Sequence, residues 1–287
     1  MNSFVKNSLP DRIEKLPCGS IIQHGPYNER IYLLKLGGDA TGLLPFVLVA
    51  MAKGYNYSKI FVKVPSGFLK KFSKAGYVEE ASIPGLYNGS DTGTFMGYYL
   101  KEQRASERDA ATLNAILHLA ISRSETPVTP LDAKRFIIRS CTESDIDQMA
   151  AIYRTVFPTY PFPIHDPSYL LDTMRSHVAY FGIETDGKLV ALSSAEMDKS
   201  AQNVEMTDFA TLLQWQRNSL SLHLLARMEK EMKQEGIKTA YTIARAMSPG
   251  INVTFSRLGY AYGGRLKNNT NISAQIESMN VWYKKLS

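Results

Sequence analysis

One block of this chain occurs twice. VPSGFLKKFSKAGY (Val64 to Tyr77) aligns without gaps to MSPGINVTFSRLGY (Met247 to Tyr260). Gly67 meets Gly250, Phe72 meets Phe255, Ser73 meets Ser256, Lys74 meets Arg257, and Gly76-Tyr77 meets Gly259-Tyr260, all at an offset of 259 − 76 = 183 residues. A helical stretch, a glycine stop and a strand precede each copy: AMAKG then KIFVKV, and MKQEG then KTAYTIA. A turn-rich segment and a closing strand, FMGYYL or MNVWYKKL, follow. Phenylalanine, glycine and lysine are common, and a helix ending in glycine is ordinary C-cap chemistry. The matching element order on both sides of the block favours duplication over chance.

Each half therefore reads strand, helix, Gly, strand, helix, Gly-Tyr, strand. That alternation predicts an α/β fold with a mixed sheet, of the α+β kind, the closing strands being antiparallel additions. The boundary is expected in SETPVTPLDAK (Ser124 to Lys134), where two prolines interrupt a helical stretch. This gives two domains, 1–132 and 133–287. A length of 287 residues with 44% hydrophobic content is enough for two cores.

Cys18 and Cys141 stand far apart in no metal or redox spacing, which argues for a reducing compartment. The opening MNSFVKNSLPDR lacks a signal-peptide pattern, and the longest apolar run, LLPFVLVAMA, is about half of a bilayer span. A cytoplasmic protein without membrane partners is expected, so Asn252-Val253-Thr254 and Asn271-Ile272-Ser273 carry no weight as glycosylation sequons. The net charge of +6 is spread without a dense block, which argues against nucleic acid and suits a polyanionic small molecule.

The second half carries the chemical signal. In QWQRNSLSLHLLARMEKEM a strand-like run passes through a polar turn into an amphipathic helix, with Leu220, Leu224, Leu225, Met228 and Met232 on its core stripe. Such a junction offers unpaired backbone N–H groups to an anion. The first half has Gly37-Gly38 before its helix but lacks the long strand pair seen in the second.

A strand ending in FAT, the turn, a helix ending at Gly236, another strand, then Asn252 and a helix closing on Gly259-Tyr260 resembles the core of the GNAT acetyltransferases. The likeness covers about residues 135–286 and implies a catalytic GNAT domain preceded by a degenerate GNAT-like domain. The family's turn signature is Gln/Arg-x-x-Gly-x-Gly/Ala, and Gln216, Ser219 and Ser221 hold its three positions. Within the family, EMTDFATL, GIKTAYTIARAMS, NVTFSRLGY, NNTNIS and ESMNVWYK resemble the beta-lysine acetyltransferases, which partner a lysine 2,3-aminomutase in making the compatible solute N-epsilon-acetyl-beta-lysine. The resemblance implies acetyl-CoA as cosubstrate and a small diamino acid as acceptor, and leaves room for a homodimer.

It further implies that backbone groups of Phe209, Ala210 and Thr211 pair with the pantetheine arm. Gln216, Arg217, Asn218, Ser219, Leu220 and Ser221 would surround the pyrophosphate, the two serines standing where glycine or alanine is usual. Asn252 either bonds the pantetheine arm or caps its helix. Phe255 occupies the place where many members put the tyrosine that protonates the departing thiolate, and it has no proton to give.

Acetyl transfer to an amine needs a neutral amine, whereas a lysine-type ammonium has a pKa near 10.4. A positioned carboxylate is the usual remedy. Period-two alternation puts Ser194, Glu196 and Asp198 on one face of KLVALSSAEMD. It puts Glu205, Thr207 and Phe209 on one face of NVEMTDFAT and Met206, Asp208 and Ala210 on the other. The resemblance makes Glu196 the first candidate base, since family members commonly carry one on the equivalent strand; the alternative is a structural carboxylate. Asp208 is the second, holding an ammonium or capping the strand, and Glu205 reads as a solvated face residue. His24, His118, His165, His177 and His223 share no metal spacing, so no metal is expected. Phe157 to Asp166 and Asn268 to Ser273 are the expected rims, and Arg245 is a candidate partner for a substrate carboxylate. Acetylation of polyamines or protein lysines, and a non-catalytic CoA-binding scaffold, are the competing readings.

Overall fold

The computed structural model describes residues 11–272 and 275–286, so the last residue of the NNTNIS rim, Ser273, lies outside the described residues. The first half runs β1 (Arg12–Lys15), β2 (Ile21–Gly25), β3 (Arg30–Lys35), α1 (Leu44–Gly54), β4 (Lys59–Pro65), α2 (Ser66–Lys74), β5 (Val78–Tyr87) and β6 (Asp91–Tyr99). Two connecting helices follow, α3 (Glu102–Ala105) and α4 (Ala110–Ser122). The second half runs β7 (Ile137–Ser140), α5 (Ile146–Val156), α6 (Pro167–Met174), β8 (Val178–Thr185), β9 (Lys188–Asp198) and β10 (Asn203–Thr211). It continues through α7 (Leu220–Gln234), β11 (Thr239–Arg245), α8 (Pro249–Arg257), β12 (Ala261–Ile272) and β13 (Gln275–Lys285).

All 13 strands form one mixed sheet in the order β1-β2-β3-β4-β6-β5-β12-β13-β11-β10-β9-β8-β7. Counted outward from the β5–β12 seam, the two sides mirror each other, and the parallel neighbours sit at the same place in both: β3 with β4, and β10 with β11. The repeated block has a physical basis. Phe72 and Tyr77 make an edge-on ring pair at 4.9 Å and 88°, and Phe255 and Tyr260 make the same pair at 4.9 Å and 81°. The intervening Gly76 and Gly259 take φ of 93° and 78°, which lets each tyrosine turn back under its helix and donate its backbone N–H to the phenylalanine carbonyl.

As expected, the first half lacks a long strand pair before its helix: β2 and β3 have 5 and 6 residues against the 11 and 9 of β9 and β10. One expectation about the halves is corrected. The segment after each repeat is a strand rather than a turn-rich run, so NNTNI is the end of β12, whose register breaks between Leu266 and Thr270. The stretch 125–134 carries no helix or strand. The α4 helix before it packs on α8 of the second half, and Arg257 ties the same stretch down through the carbonyls of Thr126 and Pro127.

The sheet folds over at the seam, so one face of the first half lies against one face of the second. Tyr32, Phe61 and Phe95 pack there with Tyr241, Met279 and Val281. The helices α7 and α8 cover the opposite face of the second half, and α5 and α6 flank the outer part of the inner face. At the seam Gly264 pairs with Ala81 at φ 138°, and a Cβ there would lie 2.3 Å from the Glu80 carbonyl. Gly264→Ala is therefore expected to lower stability by about 3 kcal/mol, read as a fall in the urea midpoint. An unchanged midpoint would show that the seam tolerates a side chain.

Candidate active site

The site begins where two parallel strands separate. β10 and β11 pair only over Asn203–Glu205 and Thr239–Tyr241. Beyond Glu205, the β11 side of β10 has no strand partner among the described residues, while its other edge stays paired to β9. The β9 register slips between Thr207 and Ala210, and Asp208 sits in this bulge at φ 54°. Unpaired backbone N–H and C=O groups at an interior edge need a partner, and an extended ligand lying as an added strand supplies one.

The bulge also overturns the alternation read from the sequence. Ser194 donates to Asp208 Oδ2 at 2.5 Å, so Asp208 shares a face with Ser194, Glu205 and Thr207 rather than with Met206. Phe209 is turned the other way, where its ring meets Phe255 edge-on at 5.6 Å. The extra residue changes the parity of every position after it.

The separation opens into a cavity of about 590 Å³. Phe209, Thr211, Gln216, Arg217, Ser219, Leu220 and Ser221 all line it, as does Asp208. Arg217 and Ser219 adopt φ of 68° and 57°, the left-handed region that favours glycine and costs other residues roughly 1–2 kcal/mol. Serine thus stands at a position whose backbone asks for glycine. No side chain caps α7, which leaves its first N–H groups facing the turn.

Ala210 is fully buried, which leaves open the backbone contact expected of it. Three other expected contacts fall elsewhere. Asn218 spends its amide on the carbonyls of Trp215 and Gln216, holding the turn together. Asn252 is fully buried, gives both amide protons to Arg245 and Ser248 carbonyls, and accepts from Asn280 and Trp282. Its hydrogen-bonding capacity is used up inside the protein, so it braces the start of α8 rather than reaching a ligand. Phe255 is fully buried between Phe209 and Tyr260 and belongs to the core.

The candidate acids Glu196, Glu205 and Asp208 share one face of β9 and β10. Glu196 is at the strand end with its side chain 53% exposed, 3.8 Å from His177, whose pKa it raises. Glu205, directly opposite in register, is partly buried, and that burial followed by repulsion from Glu196 pushes its pKa up to about 7. Local alternation carries no sign of that burial, because covering residues such as Lys63 come from the other half. Lys63 of β4 donates to Tyr241 Oη at 2.7 Å and, with the Tyr241 hydroxyl, partly offsets the shift on Glu205. Asp208 accepts from Tyr160 and Ser194, and burial raises its pKa as well. Arg245 is committed to Glu277 through bonds of 2.9 and 2.6 Å, which removes it as a partner for a substrate carboxylate.

The arrangement joins an unpaired strand edge, an uncapped helix start and a carboxylate cluster. Comparison with known proteins decides its family. Residues 146–254 match the model of the acetyltransferase (GNAT) family. The chain is 42% identical over 265 residues to a beta-lysine N(6)-acetyltransferase of Methanococcus maripaludis, covering 92% of this chain and 96% of that one. This chain belongs to the GNAT acetyltransferase family. It is also 33% identical to the N-acetyltransferase YodP of Bacillus subtilis, over 93% of this chain and 96% of that protein. A beta-lysine N(6)-acetyltransferase of Methanosarcina mazei is 33% identical over 83% of this chain and 95% of its own length. The likeness to these relatives runs through both halves.

As a GNAT acetyltransferase the chain uses acetyl-CoA, and the unpaired edge of β10 with the uncapped start of α7 fits that donor. Ser219→Glu is expected to abolish acetyl-CoA binding, measured by calorimetry, by setting a carboxylate beside the pyrophosphate. Ser219→Gly should bind at least as well as the parent. Tight binding by the glutamate variant would place the pyrophosphate elsewhere.

Proposed function

We propose that this protein transfers the acetyl group of acetyl-CoA to the ε-amino group of beta-lysine. The observation that carries the reading is the separation of β10 from β11 after Glu205, which opens a cavity of about 590 Å³ beside Asp208, with the partly buried Glu205 at the point of separation. The choice of acceptor follows the two beta-lysine acetyltransferases that match nearly their whole length. Backbone groups of Phe209, Ala210 and Thr211 would hold the pantetheine arm, with Gln216, Arg217 and the backbone from Ser219 to Ser221 around the pyrophosphate.

In this reading Glu205 takes the proton of the attacking amine. A base works best when its pKa lies near the working pH, and burial brings Glu205 there. Asp208, fixed by Tyr160 and Ser194, holds the ammonium before it is deprotonated. Glu196, the first expectation, sits too far out in solvent and serves instead to raise Glu205.

The cover over the acidic face favours a small acceptor over a protein lysine. Lys63 meets Tyr241, Gln23 reaches the Pro161 carbonyl, and Asn203 bonds the Leu86 carbonyl across the two halves. We read the chain as two GNAT-like units, 1–132 and 133–287, the first having become a lid for the second. Both parts of the site come from one chain, so the reading needs no second copy. Two free thiols and no helix able to cross a membrane among the described residues suit a cytoplasmic setting.

Following free thiol with acetyl-CoA and beta-lysine tests the assignment. Turnover should rise as pH increases through about 7, because the active form of Glu205 is the carboxylate. Glu205→Gln should cut turnover roughly 100-fold or more and erase that inflection without changing acetyl-CoA affinity. Glu196→Gln should cost only a few-fold. A larger loss in the Glu196 variant would return the base to that residue.

A further inference from the structure

The first half contains a buried cation without a counter-ion. Arg30 on β3 is 4% exposed, and among the described residues no carboxylate lies within ion-pair distance of it. The acids that act on it are engaged elsewhere: Asp11 with Asn28 and the Tyr27 backbone, Glu80 with Lys59 and Tyr99. A second buried guanidinium, Arg104, lies close enough to repel it. Arg30 Nη1 donates to the Asn269 carbonyl and Thr270 Oγ1, while its Nε has no partner. An enclosed guanidinium left this way is costly unless something outside the chain completes it.

Its surroundings point to a ligand. Gln23 Oε1, Tyr27 Oη and Asn271 Oδ1 are also buried without partners, on the strands and turn that meet at this junction. Gln23 shares the register and face of Tyr32, and Asn271 bonds the Tyr27 carbonyl. Arg30 lies over the Tyr32 ring at 5.3 Å, and that tyrosine feels both Arg30 and Glu205. The ring is therefore within electrostatic reach of both the cation and the acidic cluster. The cavity beside Asp208 extends to Tyr160 and to Ile272, next to Asn271. Burial lowers the Arg30 pKa only to about 10, so the group stays charged near neutrality.

We propose that Arg30 of the first half binds the carboxylate of the diamino-acid acceptor, making the first half the part of the protein that selects amino acids over plain diamines. The inference rests on the acetyl-transfer reading. A guanidinium fork matches a carboxylate, and the unpartnered oxygens of Gln23 and Asn271 suit the acceptor's second ammonium. The amine to be acetylated then extends past Tyr32 to Glu205 and Asp208.

The test compares beta-lysine with pentane-1,4-diamine, the same diamine without the carboxylate. The parent protein should prefer beta-lysine by roughly 100-fold in kcat/KM, the scale expected when a buried polar partner is left unpaired. Arg30→Met should raise KM for beta-lysine at least about tenfold, leave the diamine unaffected and collapse the preference. Arg30→Lys, which keeps the charge and loses the fork, should fall between. Acetyl-CoA affinity, unchanged in each variant, reports that the fold is intact. If Arg30→Met does not fold, the lysine variant and the parent's own preference decide. A parent that treats both amines alike, or a folded variant that keeps the preference, overturns the proposal. A parent that releases thiol with neither amine overturns acetyl transfer itself, and this inference with it.

Discussion

The site depends on one break in hydrogen bonding, the parting of β10 from β11 after Glu205. A parallel pair inside a sheet normally satisfies both strand edges, and here the pairing to β11 ends at Glu205, just before a bulge at Asp208 on the edge that stays anchored to β9. The unpaired edge seeks an extended partner, which is what a pantetheine arm can be. The same bulge rotates Asp208 onto the face of Glu205 and sends Phe209 into the core against Phe255. One inserted residue therefore completes the acidic cluster beside the opening. The left-handed backbone at Asp208, Arg217 and Ser219 is the strain that this geometry carries.

The first half gives the second a roof. Both halves keep the Phe–Tyr ring pair and the parallel crossover, and the sheet folds at Gly264 so that their inner faces meet. Enclosure converts an ordinary acidic strand into a group that titrates near neutrality, because burial disfavours the carboxylate more than Lys63 and Tyr241 restore it. In the proposed reading the first half contributes by covering the site of the second and by lending it a cation.

Much of the fold was legible. The gapless repeat disclosed the mirrored order of elements, and the polar turn before α7 disclosed the cavity wall, since Gln216, Arg217, Ser219 and Ser221 all line it. Local pattern failed where distant residues decide the outcome. Alternation placed Asp208 on the wrong face because a bulge leaves no period of its own. Glu205 read as solvated because its cover comes from β4 and β3, far away in sequence. Asn252 looked free because its partners, Asn280 and Trp282, belong to a strand that pairs only after folding. Arg30 carried no signal, since an arginine on a short strand is usually exposed.

The central claim is that the opening above Glu205 delivers an acetyl group to the far amine of a diamino acid held by its carboxylate end. The most direct measurement is the position of the acetyl group in the product formed from acetyl-CoA and beta-lysine, read by nuclear magnetic resonance. A single product acetylated on the ε-nitrogen is the expected result. Acetylation on the β-nitrogen, or a mixture of the two, would contradict the orientation that this arrangement of charges imposes.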